Sequence, residues 1–577
     1  MKRWSWIVVC VLLLGCAVAE ATTAVIGINA EPWYVAKAAS LGNLSLTRGY
    51  APFPVFFEGC KSEPWGDSTE YRWDFGDGSA CQSGFNAAHV YEKPGLYLVT
   101  LNVVDGAGAA ATATQSVEVL APDRRTFYVD AEAGNDANDG LAPERAWKTA
   151  DKALSGLGGR YLRGDRVLFK RGQVFPLAGR IQPPRDSYGY GFSFGAYGEG
   201  ERPIIQRANG GSANEMLDFL NGGLRHVGFM DLAFDGTSPD RSVRSSVVRT
   251  LGAAQGLLFL RCSFRNGYQH LGINGPSEVE KGCVSGVFVV GCQGRNSGNM
   301  AIYIKAKRVA LLDNDWERSG ENMVYGSWAP YSLIAGNWFR YPDFGRTALR
   351  ISGGSDSFER PAEYVCVAGN KFQGWIDPVV GRDGTNGARW NYTLCTMSPN
   401  VDKPQWIRHV RWERNLVWGC ETALQLGDCE DVVVRWNVFD LPNITPGSAR
   451  IKLGSPECEQ RPLRDIRFRG NLILCDEARS NGGSMGAIFG LLAYRFAGAH
   501  VGISAIDNRI EVRNGVPAVY WFQDADPAKR SEVFVANELV GGGVVRYGGS
   551  HNRPGETTAL CGWHALTSTG PPVLAQR

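Results

Sequence analysis

Short stretches of this 577-residue chain set side chains able to move protons or neutralise charge at alternate positions. They lie at 270–274 (HLGIN), 301–305 (AIYIK), 323–325 (MVY), 348–352 (ALRIS), 379–383 (VVGRD), 423–426 (ALQL) and 450–453 (RIKL). If each is a strand, pleating turns Leu271, Ile302, Ile304, Val324, Leu349, Ile351, Leu424, Leu426, Ile451 and Leu453 inward. It turns His270, Asn274, Tyr303, Lys305, Tyr325, Arg350, Ser352, Gln425, Arg450 and Lys452 outward. Such a basic, aromatic stripe suits a polyanionic glycan. Elimination from a uronate needs a cation against the carboxylate and a base for the proton α to it, and Lys305, Arg350, Tyr303 and His270 are the candidate catalytic groups. Tyr325, Asn274, Gln425, Arg450, Lys452 and Arg382 are candidate substrate contacts, since Arg meets a carboxylate bidentately and Tyr offers a sugar ring a flat apolar face. The plain alternative is that exposed cations only solvate the sheet and discourage edge pairing. Glu321, Asp383 and Asp428, near the ends of neighbouring strands of this set, are candidate carboxylates for hydrolysis or candidate ligands of a calcium ion. Hydrolysis would instead need two carboxylates ~5–10 Å apart.

The elements that must position these groups form a repeat. Its unit reads apolar, x, apolar, x, x, marked position, x, apolar. The marked position falls at Leu232, Cys262, Cys292, Asn314, Asn337, Asn370, Asn415, Asn437, Asn471, Asn508 and Glu538, with gaps of 22 to 45 residues. A fixed minimum with variable excess is what a parallel solenoid gives, because loops of any length bulge from its turns. The Asn side chains would stack coil on coil as a hydrogen-bonded ladder, and Asn suits a turn residue in the left-handed conformation. Residues 126–169 carry YVD, GND, NDG, WKT and GDRVLF and precede the repeat. A short helix at 150–157 would cap its exposed first coil.

This pattern resembles the right-handed parallel β-helix of the pectate-lyase-like proteins, with about eleven coils. The resemblance implies that the ladder residue follows the second strand of each coil. It also implies that the long first-sheet strand, several residues later, presents the binding face. The family's catalytic strings are not found. There is no D-P-H-D, W-x-D-H or R-x-P-x-x-R, and Arg450-Ile451-Lys452 stands alone as an R-x-K element. Fold does not fix function. Trp328, Tyr331, Trp375, Trp390 and Tyr392 fall in longer excursions that either wall a cleft or cover apolar surface.

Upstream, residues 44–120 read as a β-sandwich, with strands at 55–57, 71–75, 97–104 and 114–119. WDFGDGS (73–79) followed by HVYEKPGLYLVTLNVVD (89–105) resembles the PKD domain, an immunoglobulin-like fold. Gly76 and Gly78 allow a positive-φ turn, and Asp74 and Asp77 read as turn formers. The resemblance implies a spacer or weak binding module.

Lys2 and Arg3 precede an apolar run at 4–14, too short to span ~30 Å of bilayer as a helix. It reads as the core of a signal peptide at 1–19. Leu13-Leu14-Gly15-Cys16 resembles a lipobox that would leave Cys16 lipidated, and Ala17-Val18-Ala19 is the competing cleavage site. The expectation is an exported protein, lipid-anchored at the outer membrane or cell surface, or secreted. The spacing of the cysteines fits no zinc site, and Cys60 and Cys81 are a candidate disulfide. A net charge of +2 gives no general reason to bind nucleic acid. The expected partner is a polysaccharide, with membrane contact only through Cys16, and the expected state is a monomer. The domains follow as 1–19, 44–120, 126–548 and a tail or cap at 549–577, where Cys561 and Trp563 would close the end. The leading expectation is a lyase on an acidic glycan. The alternatives are a non-catalytic glycan-binding or adhesive rod and a glycoside hydrolase.

Overall fold

A computed structural model describes residues 21–29, 45–182, 188–208, 215–219, 223–237, 246–250, 254–274, 284–343, 345–353, 361–377, 389–398, 406–441, 450–454, 461–475, 487–491, 501–512, 518–522, 532–535, 537–540, 544–547 and 563–565. The expected leader at 1–19, Arg382, Asp383 and most of the tail lie outside these residues. Downstream of residue 126 the described strands form three parallel sheets, each strand pairing with its counterpart one coil away, apart from the short Ile376–Asp377, which pairs antiparallel with Arg389–Met397. The first sheet carries Val324–Trp328 and Leu349–Ile351, the second Lys307–Leu312 and Ala362–Ala368, and the third Trp338–Pro342 and Lys371–Gln373. Chain order through a coil is second, third, first, which is a right-handed parallel β-helix. The helix Ala150–Leu154, whose N-cap Thr149 accepts from the Lys152 amide, closes the first coil with Phe127 stacked on Trp147. At the other end Trp563–Ala565 pairs with the third-sheet strand Asn537–Val540.

The ladder is continuous through the described coils. From Asn314 through Asn337, Asn370, Asn415, Asn437 and Asn471 to Asn508, each carboxamide nitrogen donates to the next carboxamide oxygen at 2.8–3.0 Å. The same oxygen accepts a backbone amide of the coil before, as Asn370 does from the Asn337 amide at 3.0 Å. Each side chain is thus saturated although buried. The left-handed residue is not the Asn. It is the residue before each of the first ten marked positions: Asp231, Arg261, Gly291, Asp313, Gly336, Gly369, Arg414, Trp436, Gly470 and Asp507, with φ of 51–69°. The eleventh ladder position is Asn537 rather than Glu538, one residue earlier than expected, because Glu538 pairs with Arg509. One left-handed residue turns the chain sharply from second to third sheet and leaves the Asn free to bond along the stack. A second left-handed column (His226, Gly256, Gly286, Arg308, Tyr331, Tyr364, His409, Asp431, Asp465 and Gly502) kinks the second sheet.

That kinked sheet is where the N-terminal sandwich docks. The sandwich has a five-stranded sheet and the pair Phe53–Glu58 with Asn86–Tyr91. Its core merges with the outward side chains Leu258, Leu260, Phe288, Ala310, Leu312, Leu333 and Cys366 of the β-helix. Strands apolar on both faces, such as Ala254–Leu260 and Val284–Val290, are what a doubly covered parallel sheet requires. Polar fasteners run along the seam. Phe53 stacks on His226 at 5.1 Å, Glu58 pairs with Arg308 at 2.5 Å, and Asn86 donates to the Tyr364 carbonyl at 2.7 Å. Trp65 donates to Asp431 at 2.6 Å, and Arg435 donates to the Asp67 carbonyl at 2.7 Å. Within the sandwich, Asp74 accepts the Gly76 amide and Asp77 the Ser79 amide, as turn formers do. Cys60 and Cys81 are free thiols rather than a disulfide. Cys60 lies against Glu58 at the seam, and burial pushes its pKa up to about 12, whereas Cys81 is exposed beside Arg72.

Candidate functional site

The docked sandwich covers much of the second sheet, leaving the outer faces of the first and third. On the first sheet the parallel register stacks one outward residue per coil. The row runs Asp218, Arg249, Gly272, Tyr303, Tyr325, Arg350, Thr396, Gln425 and Lys452. Five residues expected at the site therefore share one line. At its centre the Tyr303 and Tyr325 rings meet edge to face at 5.6 Å, and the Arg350 guanidinium lies 5.3 Å over the Tyr325 ring. Asn274 and Lys305 pair in a second row, two residues further along each strand. Between Ile304 and Lys305 the register slips, so that Lys305 faces Trp328, a residue buried beneath the Lys307 ammonium at 5.6 Å.

His270, Arg450 and Ser352 depart from the expected outward position, and all three are buried. His270, the second residue of the strand Gln269–Asn274, and Arg450, just ahead of Ile451–Leu453, stack in one row with Ala301, Met323, Ala348, Leu394 and Ala423. Backbone bonds such as Ala348 to the Leu394 carbonyl and Ala423 to the Arg450 carbonyl at 2.8 Å fix that row. Here the chain is still turning the corner from the third sheet, and alternation does not yet apply. His270 packs on Trp316 at 5.5 Å and Phe264 at 6.2 Å. Burial lowers its pKa to about 3, outweighing the Arg295 and Asn266 carbonyls, which act the other way. It is a neutral core imidazole.

The carboxylates do not converge. Glu321 is paired with Arg346 at 2.8 Å. Asp428 is buried at the turn into the second sheet, near the Arg461 amide. Asp383 lies outside the described residues, as does Arg382. Among the described residues no three His, Cys, Asp or Glu side chains gather as a metal site. A pair did escape the sequence reading: Glu215 and Asp218 both contact Arg249, at 2.8 and 2.9 Å, at the N-terminal end of the central row. Towards the other end, where the register carries the row on to Gly490, Trp521 and Arg546, burial holds the Lys452 ammonium below the usual lysine range, while the buried Glu421 pulls it upward.

Thr396 was also missed. The first-sheet strand of its coil is Arg389–Met397, not 379–383, and the readable signal was the pair of inward side chains Cys395 and Met397. Of the excursion aromatics, Trp328 is buried, Tyr331 stacks on Tyr364 at the sandwich seam, and Trp375 lies against Tyr341. The side chains of Trp390 and Tyr392 are not among those described.

Residues 51–120 match the family model of the PKD domain. Among solved structures the chain is similar to a carbohydrate-binding module of the β-sandwich superfamily, with 24% identity and a TM-score of 0.14. That match covers 18% of this chain, which spans about a third of the other's length (35%). It is also similar to the GH136 lacto-N-biosidase from Eubacterium ramulus (14% identity, 72% of this chain and 67% of that one, TM-score 0.36). The Family 28 exopolygalacturonase from Yersinia enterocolitica matches at 10% identity over 86% of this chain and 98% of that one, with a TM-score of 0.38. With the register of its own strands, the chain is a right-handed parallel β-helix that carries, ahead of it, a domain matching the PKD family over residues 51–120.

Proposed function

We propose that this is an exported carbohydrate-active protein whose first-sheet exterior holds an acidic glycan along the helix axis and cleaves it by β-elimination. The observation that carries the reading is the Tyr303–Tyr325–Arg350 stack on successive coils, with Lys305 in the row beside it. Coils repeat every ~4.8 Å, so an extended glycan laid along the row meets roughly one side chain per sugar ring. Tyr325 gives a ring its apolar platform. Arg350, held over that platform, is placed to receive the uronate carboxylate, which makes the proton α to it more acidic. Tyr303 or Lys305 takes that proton, and the released electron pair forms the double bond between the α and β carbons as the bond from the β carbon to the glycosidic oxygen breaks. The leaving oxygen takes a proton back from the protonated base or from water. His270, sealed in the corner, takes no part.

One observation favours hydrolysis as a second reading. Asp218 on the row and Glu215 just ahead of it both hold the Arg249 guanidinium, which brings two carboxylates together, with Asp218 buried and shared with Arg180. Mass spectrometry of the products separates the two. Elimination leaves an unsaturated uronate at the new non-reducing end, and hydrolysis adds water and leaves none. Saturated products that vanish in Glu215→Gln would establish the second reading and end the first.

A further inference from the structure

The third sheet carries a cluster that the proposed reaction does not use. Tyr341 and Trp375 meet with ring centroids 5.0 Å apart, and the Tyr341 hydroxyl accepts from the Gln373 amide at 2.8 Å. The Arg318 guanidinium lies 5.8 Å from the Trp375 ring. One row away, Trp338 lies between Arg340 at 4.1 Å and Lys371 at 5.8 Å, and its indole N–H has no acceptor among the described residues. The four aromatic or amide groups are half-buried, whereas Arg318 and Lys371 are exposed.

The cations of this face divide into two kinds. Arg295 and Arg340 are both committed to Asp315 and Glu317, at 2.6–3.5 Å. Arg265 is committed to Asp235 at 2.9 Å. Arg318 and Lys371 have no carboxylate partner among the described residues. Two uncommitted cations are therefore held beside aromatic rings that keep a partly open edge. An aromatic face with an adjacent cation is the pairing that holds a pyranose ring bearing an acid group.

Position adds to this. Arg318 and Tyr341 each end a third-sheet strand, at the corner that leads into the first-sheet strand carrying Tyr325 or Arg350. The cluster thus borders the central row on the same coils. We propose that Trp375, Tyr341, Arg318 and Lys371 form a second, non-catalytic ledge that holds acidic glycan chains beside the first-sheet row. The ledge rests on the proposed function only for the class of glycan.

The test uses the full chain in affinity electrophoresis through gels containing polygalacturonate, alginate or a neutral β-glucan. Trp375→Ala, Lys371→Ala and Arg318→Ala are compared with Arg350→Ala, and unchanged melting checks that each variant is folded. The ledge predicts that each of the first three weakens retention by an acidic polymer roughly three- to tenfold. Turnover of short oligosaccharides stays unchanged in these variants, and Arg350→Ala keeps most of the retention while losing product. Unchanged retention in both Trp375→Ala and Lys371→Ala overturns the ledge. So does equal retention by the neutral glucan, or no retention of the wild-type chain by either acidic polymer. If retention falls in the ledge variants but no protein yields product, the ledge stands and the elimination reading falls.

Discussion

The Trp65 indole reaches out of the PKD domain and donates to the Asp431 carboxylate of the β-helix at 2.6 Å, where His409 Nδ1 meets the same carboxylate at 2.8 Å. The Arg467 guanidinium pairs with that carboxylate too, and these partners, with Arg467, hold its pKa down against burial. Tyr364 and His409 lie edge-on to the Trp65 ring, at 5.8 and 5.7 Å. A domain fastened this way is part of the wall of the β-helix rather than a tethered spacer.

Truncating this fastener should therefore act on the whole molecule. Trp65→Ala removes a half-buried ring and leaves Asp431 short of a donor, and we expect a loss of about 2–4 kcal/mol. Denaturant unfolding monitored at the β-helix reads it. Removing residues 51–120 bares Leu258, Leu260, Phe288, Leu312 and Leu333, and the remainder should aggregate. A soluble, equally stable β-helix after either change would show that the domain is only tethered.

The ladder predicts unequal costs at equivalent positions. Asn415→Ala strips the acceptor from both the Asn370 amide and its carboxamide, and removes the donor to the Val367 carbonyl. Several buried polar groups lose partners, and the cost should be about 3 kcal/mol or more. Cys292→Ala gives up a 3.4 Å contact from the Cys262 amide to sulfur and the weak thiol contacts to the Phe259 and Val290 carbonyls at 3.4 and 3.5 Å, and should cost about 1 kcal/mol. Chemical denaturation of the two variants checks the order, and equal losses would contradict the account.

The buried histidines set an acid limit. His226 and His270 both have pKa values lowered to about 3, by burial first and, for His226, by Arg225 and Arg163. Unfolding restores each to the ordinary value near 6.5, so the unfolded chain binds more protons between those limits. Stability from these groups is complete above about pH 6.5 and is lost as pH falls towards 3. The slope is up to about 1.4 kcal/mol per pH unit for each histidine. His270→Phe, which keeps a flat ring against Trp316 and Phe264, should flatten that slope. Melting temperatures at a series of pH values measure it, and an unchanged slope would place the acid sensitivity elsewhere.

The ladder positions were legible because each is fixed by a local pattern of apolar residues and Asn, repeated from coil to coil. The corner was not. His270 and Arg450 match the alternation of the strands that follow them, but alternation begins only after the turn, and nothing local marks where the strand starts. The left-handed residue was misplaced by one because Asn is a familiar turn former, whereas the fold forces Arg261, Arg414 and Trp436 into that conformation. The docking seam did have a signal, the unbroken apolar runs at 257–260 and 287–290, which a strand with one wet face would not carry. The Glu215–Arg249–Asp218 cluster had none. Only Arg249 belongs to the coil marked by Leu232; Glu215 and Asp218 lie one coil earlier, ahead of the first marked position, and only the stacked register brings the three together.

Ultraviolet absorbance of unsaturated uronate ends tests the central claim most directly. The wild-type chain and Arg350→Ala are each mixed with polygalacturonate or alginate, with and without calcium. The account predicts a steady rise with the wild-type chain and a loss of at least about a hundredfold in Arg350→Ala, the scale on which removal of one charge-stabilising group acts. Absence of a rise with either polymer, or a rise that persists undiminished in Arg350→Ala, would contradict elimination on the first-sheet row.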